Sequence, residues 1–149
     1  MRLRIYVDTS VIGGCVDDEF AQESLALFEM ARAGEVILLI SDVLLEELAR
    51  ASDDVQSLLN ALPAGCTEFL QTSEEAVRLR DAYLAAKVVG PSGGSDAQHV
   101  AIATLAQADV IVSWNFKHIV HVDKIRLFNA VNLAHGYRLI DIRSPLEVV

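Results

Sequence analysis

Cysteine is nearly missing from this 149-residue chain, with Cys15 and Cys66 the only two. That is too few for a disulfide framework, and neither has a metal-ligating neighbour at short spacing, so two buried, reduced thiols are expected. Long hydrophobic runs are missing as well. The longest, such as Val36 to Ile40, is strand length and far short of a membrane span. An apolar strand pattern beginning at about Leu3 leaves no room for the charged and apolar regions of a secretory signal, so a cytoplasmic protein with no membrane partner is the expectation. Basic residues are scarce: 12 Lys and Arg stand against 21 Asp and Glu, for a formal charge of −9. This excludes an undirected electrostatic grip on nucleic acid, because phosphate neutralisation by Lys and Arg supplies most non-specific affinity. Internal repeats and low-complexity tracts are absent too. Residues 1–149 read as a single domain, long enough to bury about 70% of the surface of its unfolded chain.

What the chain does have is a strand–helix alternation punctuated by acids. Arg4-Ile5-Tyr6-Val7 is apolar and β-branched and ends abruptly in Asp8-Thr9-Ser10, followed by a turn expected at Gly13-Gly14. Val36 to Ile40 and Val110 to Val112 show no polar alternation, as expected of parallel strands covered on both faces. Cys66 to Leu70 reads as a third strand and Leu139 to Ile142 as a closing edge strand. Helices are expected from Phe20 to Gly34, Val43 to about Ala51, Asp53 to Leu62, Ser73 to Ala86, Asp96 to Gln107 and Lys124 to Leu133, several with Ser or Asp at their starts. The pattern predicts a three-layer α/β/α sandwich around a mostly parallel sheet of about five strands.

Ligands of open α/β sheets bind beyond the carboxyl ends of the strands, which puts Asp8 at the functional edge. Its alternative is a helix N-cap. In the helix after Ser41-Asp42, a rotation of 100° per residue places Glu46 on the polar side and Glu47 among the apolar positions. A carboxylate on a core-facing stripe is costly unless paired or bound to a metal, or unless it reaches out to water. Asp96 falls in the first turn of an Ala-rich helix, with Ser95 as its expected N-cap. His99, three residues on, reads as a satisfied packing residue more readily than as a phosphate or water ligand. Asn115 follows the Val110–Val112 strand and would sit near Asp8 if those strands are neighbours. Trp114 to Arg138 carries Lys117, Lys124, Arg126 and Arg138 with His118, His121 and His135 against a single acid, Asp123. It is the best candidate for a phosphate-facing rim.

Asp8, Glu47, Asp96 and Asn115 therefore form a set compatible with one end of the sheet. Carboxylates pushed together repel, and such a cluster persists when a hard divalent cation fills it. Mg²⁺ or Mn²⁺ suits an oxygen-only site, and the matching chemistry is attack by water on a phosphodiester.

The chain resembles the PIN-domain nucleases, and within them the VapC-like toxins of toxin–antitoxin pairs. The resemblance rests on Tyr6-Val7-Asp8-Thr9-Ser10-Val11-Ile12-Gly13-Gly14, Ser41-Asp42-Val43-Leu44-Leu45-Glu46-Glu47-Leu48, Asp96-Ala97-Gln98-His99-Val100-Ala101-Ile102-Ala103 and Val112-Ser113-Trp114-Asn115-Phe116-Lys117-His118-Ile119, in that order over nearly the whole chain. It implies a single PIN-like domain and a Mg²⁺- or Mn²⁺-dependent ribonuclease whose metal is bound by Asp8, Glu47 and Asp96. Ser10 matches a position that supports the first acid, and Asn115 stands where a fourth family acid falls, with His118 at an alternative acid position. Asn115 would position water, and Lys117 and His118 would contact the RNA backbone. Homodimerisation and an antitoxin protein partner are further implications. A PIN-fold module with a weakened site, binding RNA or a protein without cutting, is the rival.

Overall fold

Ile5 and Val7 face one side of the central sheet and Tyr6 the other, and all three are fully buried. Alternation along a strand sends successive side chains to opposite faces, so a strand apolar at every position demands helices on both. The computed structural model describes residues 2–149 and supplies them. Five strands, β1 (Leu3–Val7), β2 (Val36–Ser41), β3 (Thr67–Leu70), β4 (Val110–Val112) and β5 (Ile142–Arg143), lie in the order β3-β2-β1-β4-β5 and every pairing is parallel. The helices are α1 (Thr9–Gly14), α2 (Ala21–Arg32), α3 (Asp42–Leu48), α4 (Asp53–Asn60), α5 (Glu74–Ala85), α6 (Gly94–Leu105) and α7 (Val122–Ala134). One core packs β1, β2 and β4 against α1, α2 and α4; the other packs them against α5, α6 and α7. The three-layer sandwich expected from the sequence is the observed fold. Both cysteines are buried and free, and no helix among the described residues is long and apolar enough to cross a membrane.

Local differences have local causes. Gly13-Gly14 closes α1 instead of forming a separate turn, and Gly14 is there for room: a Cβ on it would lie 2.6 Å from Ser24 Oγ and 2.9 Å from Trp114 Nε1. The α3 helix stops at Leu48, short of Ala51. Ser95 lies inside the first turn of α6, with Gly93 as its N-cap, because a 3₁₀ turn over Pro91–Gly93 starts the winding earlier. The closing strand is shorter and later than Leu139–Ile142. The Asn129 side chain takes both backbone groups of Ile140, at 2.7 and 3.1 Å, so pairing with β4 begins only at Asp141 and Ile142.

Candidate active site

The strand order changes direction at β1, which continues to β2 on one side and meets β4 on the other. A switch point of this kind leaves a crevice beyond the carboxyl ends of the two strands. Asp8 follows β1 into that crevice, and Ser113, Trp114 and Asn115 follow β4. The carboxylate of Asp8 is 4% exposed and makes no cap bond to α1, although the residue occupies the N-cap position. Its oxygens are divided between two serines instead. Ser10 donates to Oδ1 at 2.5 Å and Ser113 donates to Oδ2 at 2.6 Å. Each serine oxygen in turn accepts a backbone N–H from the β4 loop, Trp114 to Ser10 and Asn115 to Ser113, both at 2.9 Å. The two strand ends are thus stitched together through one carboxylate.

Burial pushes the Asp8 carboxyl up from its ordinary value, against the pull of His99 and of the two serine hydroxyls. Asp96, in the first turn of α6, is also raised, first by burial and further by the charge of Asp8; His118, His99 and a hydrogen bond from Asn115 oppose this. Two acids that each resist ionisation, one because of the other, are a pair that a cation would relieve.

Glu47 is held differently. Burial raises it, but hydrogen bonds from His99, Thr9 and Ser95 with the His99 charge outweigh burial and bring it below its ordinary value. Oε1 accepts from Thr9 Oγ1 at 2.9 Å and lies 2.6 Å from His99 Nε2. Glu46 beside it is exposed, so the helical phase separates the two glutamates as the sequence implies. Behind His99, Nδ1 meets Tyr6 Oη at 2.5 Å, and Tyr6 donates at 2.8 Å to Ser41, whose Oγ caps α3 by accepting from Leu44. Tyr6 has one hydroxyl proton for this chain, and Nε2, which faces a carboxylate, is the nitrogen that must carry a proton. His99 is therefore the satisfied packing residue the sequence suggests, with one end in the site. Its link to Glu47 is what sequence reading missed, together with Thr9 and Ser113; the polar Ser113 directly after a continuous apolar strand was the available signal.

Asn115 accepts the His118 N–H through Oδ1 at 2.9 Å, and its amide pulls the Asp96 carboxyl down against burial. Lys117 is exposed and His118 half-buried in the same loop. The rest of the basic segment does not stay with them. Lys124 donates to the Val88 carbonyl at 2.6 Å, and α7, about 20 Å long at 1.5 Å per residue, carries His135 and Arg138 to the opposite edge of the sheet, where Arg138 lines a small cavity with Gln107 and Asp109. The expected phosphate-facing rim thereby loses its far end, His135 and Arg138, because a parallel crossover must return the chain to the amino edge.

Among the described residues, no three His, Cys, Asp or Glu side chains converge closely enough to hold an ion as they stand. The donor chemistry nevertheless fits a hard divalent cation: Asp8 and Asp96 offer carboxylate oxygens that no Lys or Arg neutralises among the described residues, and Glu47 stands at the same edge, turned to His99 and Thr9.

The fold is of the kind seen in solved VapC, VapBC and FitAcB structures. No protein-family model matches the sequence, and no curated protein does. Solved structures do. The chain superposes on VapBC2 from Rickettsia felis, solved with a promoter DNA fragment, at a TM-score of 0.62 and 14% identity, covering 95% of this chain and 98% of that one. VapC20 from Mycobacterium tuberculosis, described as a sarcin-ricin-loop-cleaving toxin, matches at 0.59 and 12% identity over 91% and 98% of the two chains. FitAcB from Neisseria gonorrhoeae matches at 0.58 and 15% identity over 95% and 98%. At such identities the likeness is one of fold.

Proposed function

We propose that this protein is a Mg²⁺- or Mn²⁺-dependent ribonuclease. The carrying observation is the pair Asp8 and Asp96 at the sheet's switch point, each raised by burial and Asp96 further by the charge of Asp8, with no Lys or Arg bonded to either among the described residues. Asp8 and Asp96 would hold the cation, with Glu47 completing the set from its place beside His99. A bound divalent ion neutralises charge developing on a phosphodiester and lowers the pKa of the attacking water. The residues of the chain do the rest. Ser10 and Ser113 fix both oxygens of Asp8, and His99 with Thr9 fixes Glu47, so these acids are oriented before substrate arrives. Lys117 and His118 stand in the loop beside them, placed to meet the RNA backbone.

Similarity of fold to VapC20 and to the VapBC2 and FitAcB structures supports a toxin role with an antitoxin protein as partner; a homodimer in the cytoplasm is the working form this reading adds. The reading that the chain binds without cutting draws on Asn115, which brings no charge to a position where an acid would. Cleavage of a mixed RNA pool with Mg²⁺, with Mn²⁺ and with EDTA, alongside Asp8→Asn prepared identically, tests the choice. Metal-dependent cutting lost in the variant is the expected result. An inert wild type, natively folded and supplied with metal, overturns the ribonuclease reading.

A further inference from the structure

We infer, building on the ribonuclease reading, that Phe116 is a specificity-determining residue of this chain, a stacking platform for an unpaired base of the RNA. Phe116 follows Asn115 directly and is 47% exposed, an unusual placement for a phenyl ring in a loop that carries site residues. The ring is backed by a rigid aromatic array. Trp114 meets it edge-on at 6.2 Å and 65°, and Phe20 stacks on Trp114 at 4.3 Å. The indole is only 7% exposed, donates from Nε1 to the buried Ser24 hydroxyl at 2.8 Å, and fits because Gly14 has no Cβ. The loop backbone is fixed as well: the Asn115 carbonyl accepts from Ile119 and Val120 at 3.1 and 2.8 Å, and Phe116 N–H donates to Trp114 at 2.9 Å. A half-exposed ring held this firmly presents one preformed apolar face on the loop that leaves the carboxyl end of β4.

Electrostatics decides what that face takes. The chain carries a formal charge of −9, and Lys117 is the exposed cation of this loop, so phosphate contacts supply little of the affinity for RNA. Base–aromatic stacking is the remaining large term for a single strand, and it tolerates any sequence because every base has a π-face. A base inside an A-form duplex is already stacked on both sides and cannot reach the ring.

The chain has one tryptophan, Trp114, and it touches the platform, so its emission reports directly on occupancy. The test uses Asp8→Asn protein, to keep RNA uncut, with a fluorescein-labelled single-stranded RNA 12-mer and the same sequence as a duplex, read by anisotropy and by Trp114 fluorescence. Single-stranded RNA should bind more tightly than duplex and change Trp114 emission. Phe116→Leu, which keeps an apolar side chain without the π-face, should weaken single-strand binding about tenfold, and Phe116→Tyr should restore it. Equal single-strand binding by Phe116→Leu and its parent, or no change at Trp114 on saturation, overturns the proposal and leaves the patch to an apolar protein segment. Because the readout is binding, it stays separate from cleavage: stacking with an inert wild type supports the platform while removing the nuclease.

Discussion

At the amino edge of the sheet, charges are settled in pairs; at the carboxyl edge they are not. Arg4 makes a two-pronged contact with Glu68, at 2.8 and 3.1 Å, and spends its remaining nitrogen on the Ala106 and Gln107 carbonyls at the end of α6. Asp109 accepts the Arg4 N–H at 2.7 Å and donates its own to the Arg4 carbonyl at 2.9 Å, which extends the β1–β4 ladder. Arg4 there has both an opposite charge and a helix end to stabilise it. Across the sheet, Asp8 and Asp96 have only hydroxyls, an amide and histidines, and both are pushed toward the protonated form. A fold able to pair its acids at one edge leaves them unpaired at the other. A difference of this kind is what the proposed cation site at the carboxyl edge requires.

Neutralising Asp8 should produce the largest effect and break the comparison most directly. Asp8→Asn is expected to lose RNA cleavage beyond the ~100-fold typical of removing an outer partner of a metal site. Its stability should move the other way. Asp8 binds its proton more tightly folded than unfolded, so stability is lost as pH rises from the free-chain value of 3.8 through the raised native one, and the uncharged Asn escapes that loss. Thermal unfolding in EDTA at neutral pH should show the variant at or above wild type. Added Mn²⁺ should then raise the wild-type Tm alone, since an ion that binds only the native state stabilises it by mass action. A marked drop in the variant's Tm in EDTA would mean that Asp8 is structural.

Next comes the bond that sets Glu47 apart. His99→Leu removes the 2.6 Å contact to Glu47 while keeping an apolar side chain in the buried site, and is expected to lower cleavage about 10- to 100-fold and raise the Mn²⁺ concentration that half-saturates the thermal shift. His99→Gln, which still offers an N–H, should recover most of both. Unchanged metal dependence in a folded His99→Leu protein would free Glu47 from any need of the histidine.

Gly14→Ala sits at the same edge but tests packing. A Cβ 2.6 Å from Ser24 Oγ must displace the Trp114–Ser24 bond, at a cost of about 1–3 kcal/mol, with a shift in Trp114 emission as the marker. Arg4→Met, at the settled edge, should cost least, about 1 kcal/mol by urea unfolding, and leave cleavage unchanged. Cleavage that fell with Arg4 would show the two edges to be coupled.

Much of this architecture was legible residue by residue. Continuous apolar runs announced buried parallel strands, Ser41 and Ser73 announced helix starts, and the 100° step of α3 separated Glu47 from Glu46. Asp8 and Asn115 stand out because each follows an apolar strand, and Asp96 because it opens an Ala-rich helix after a Gly-rich stretch. The partners of those acids were not legible. Ser113 lies 105 residues from Asp8 and His99 lies 52 from Glu47, separations across which no local period operates. The basic rim failed for the same reason, since residues near in sequence on α7 are carried to opposite edges of the sheet.

The sequence by itself therefore determined the layers, the parallel sheet and the acids, because propensity, periodicity and capping act over a few residues. Only the tertiary structure decided which strands became neighbours, and with them which hydroxyl, imidazole or amide meets each carboxylate. Those contacts depend on strand order and on desolvation, which exist only once the chain has packed.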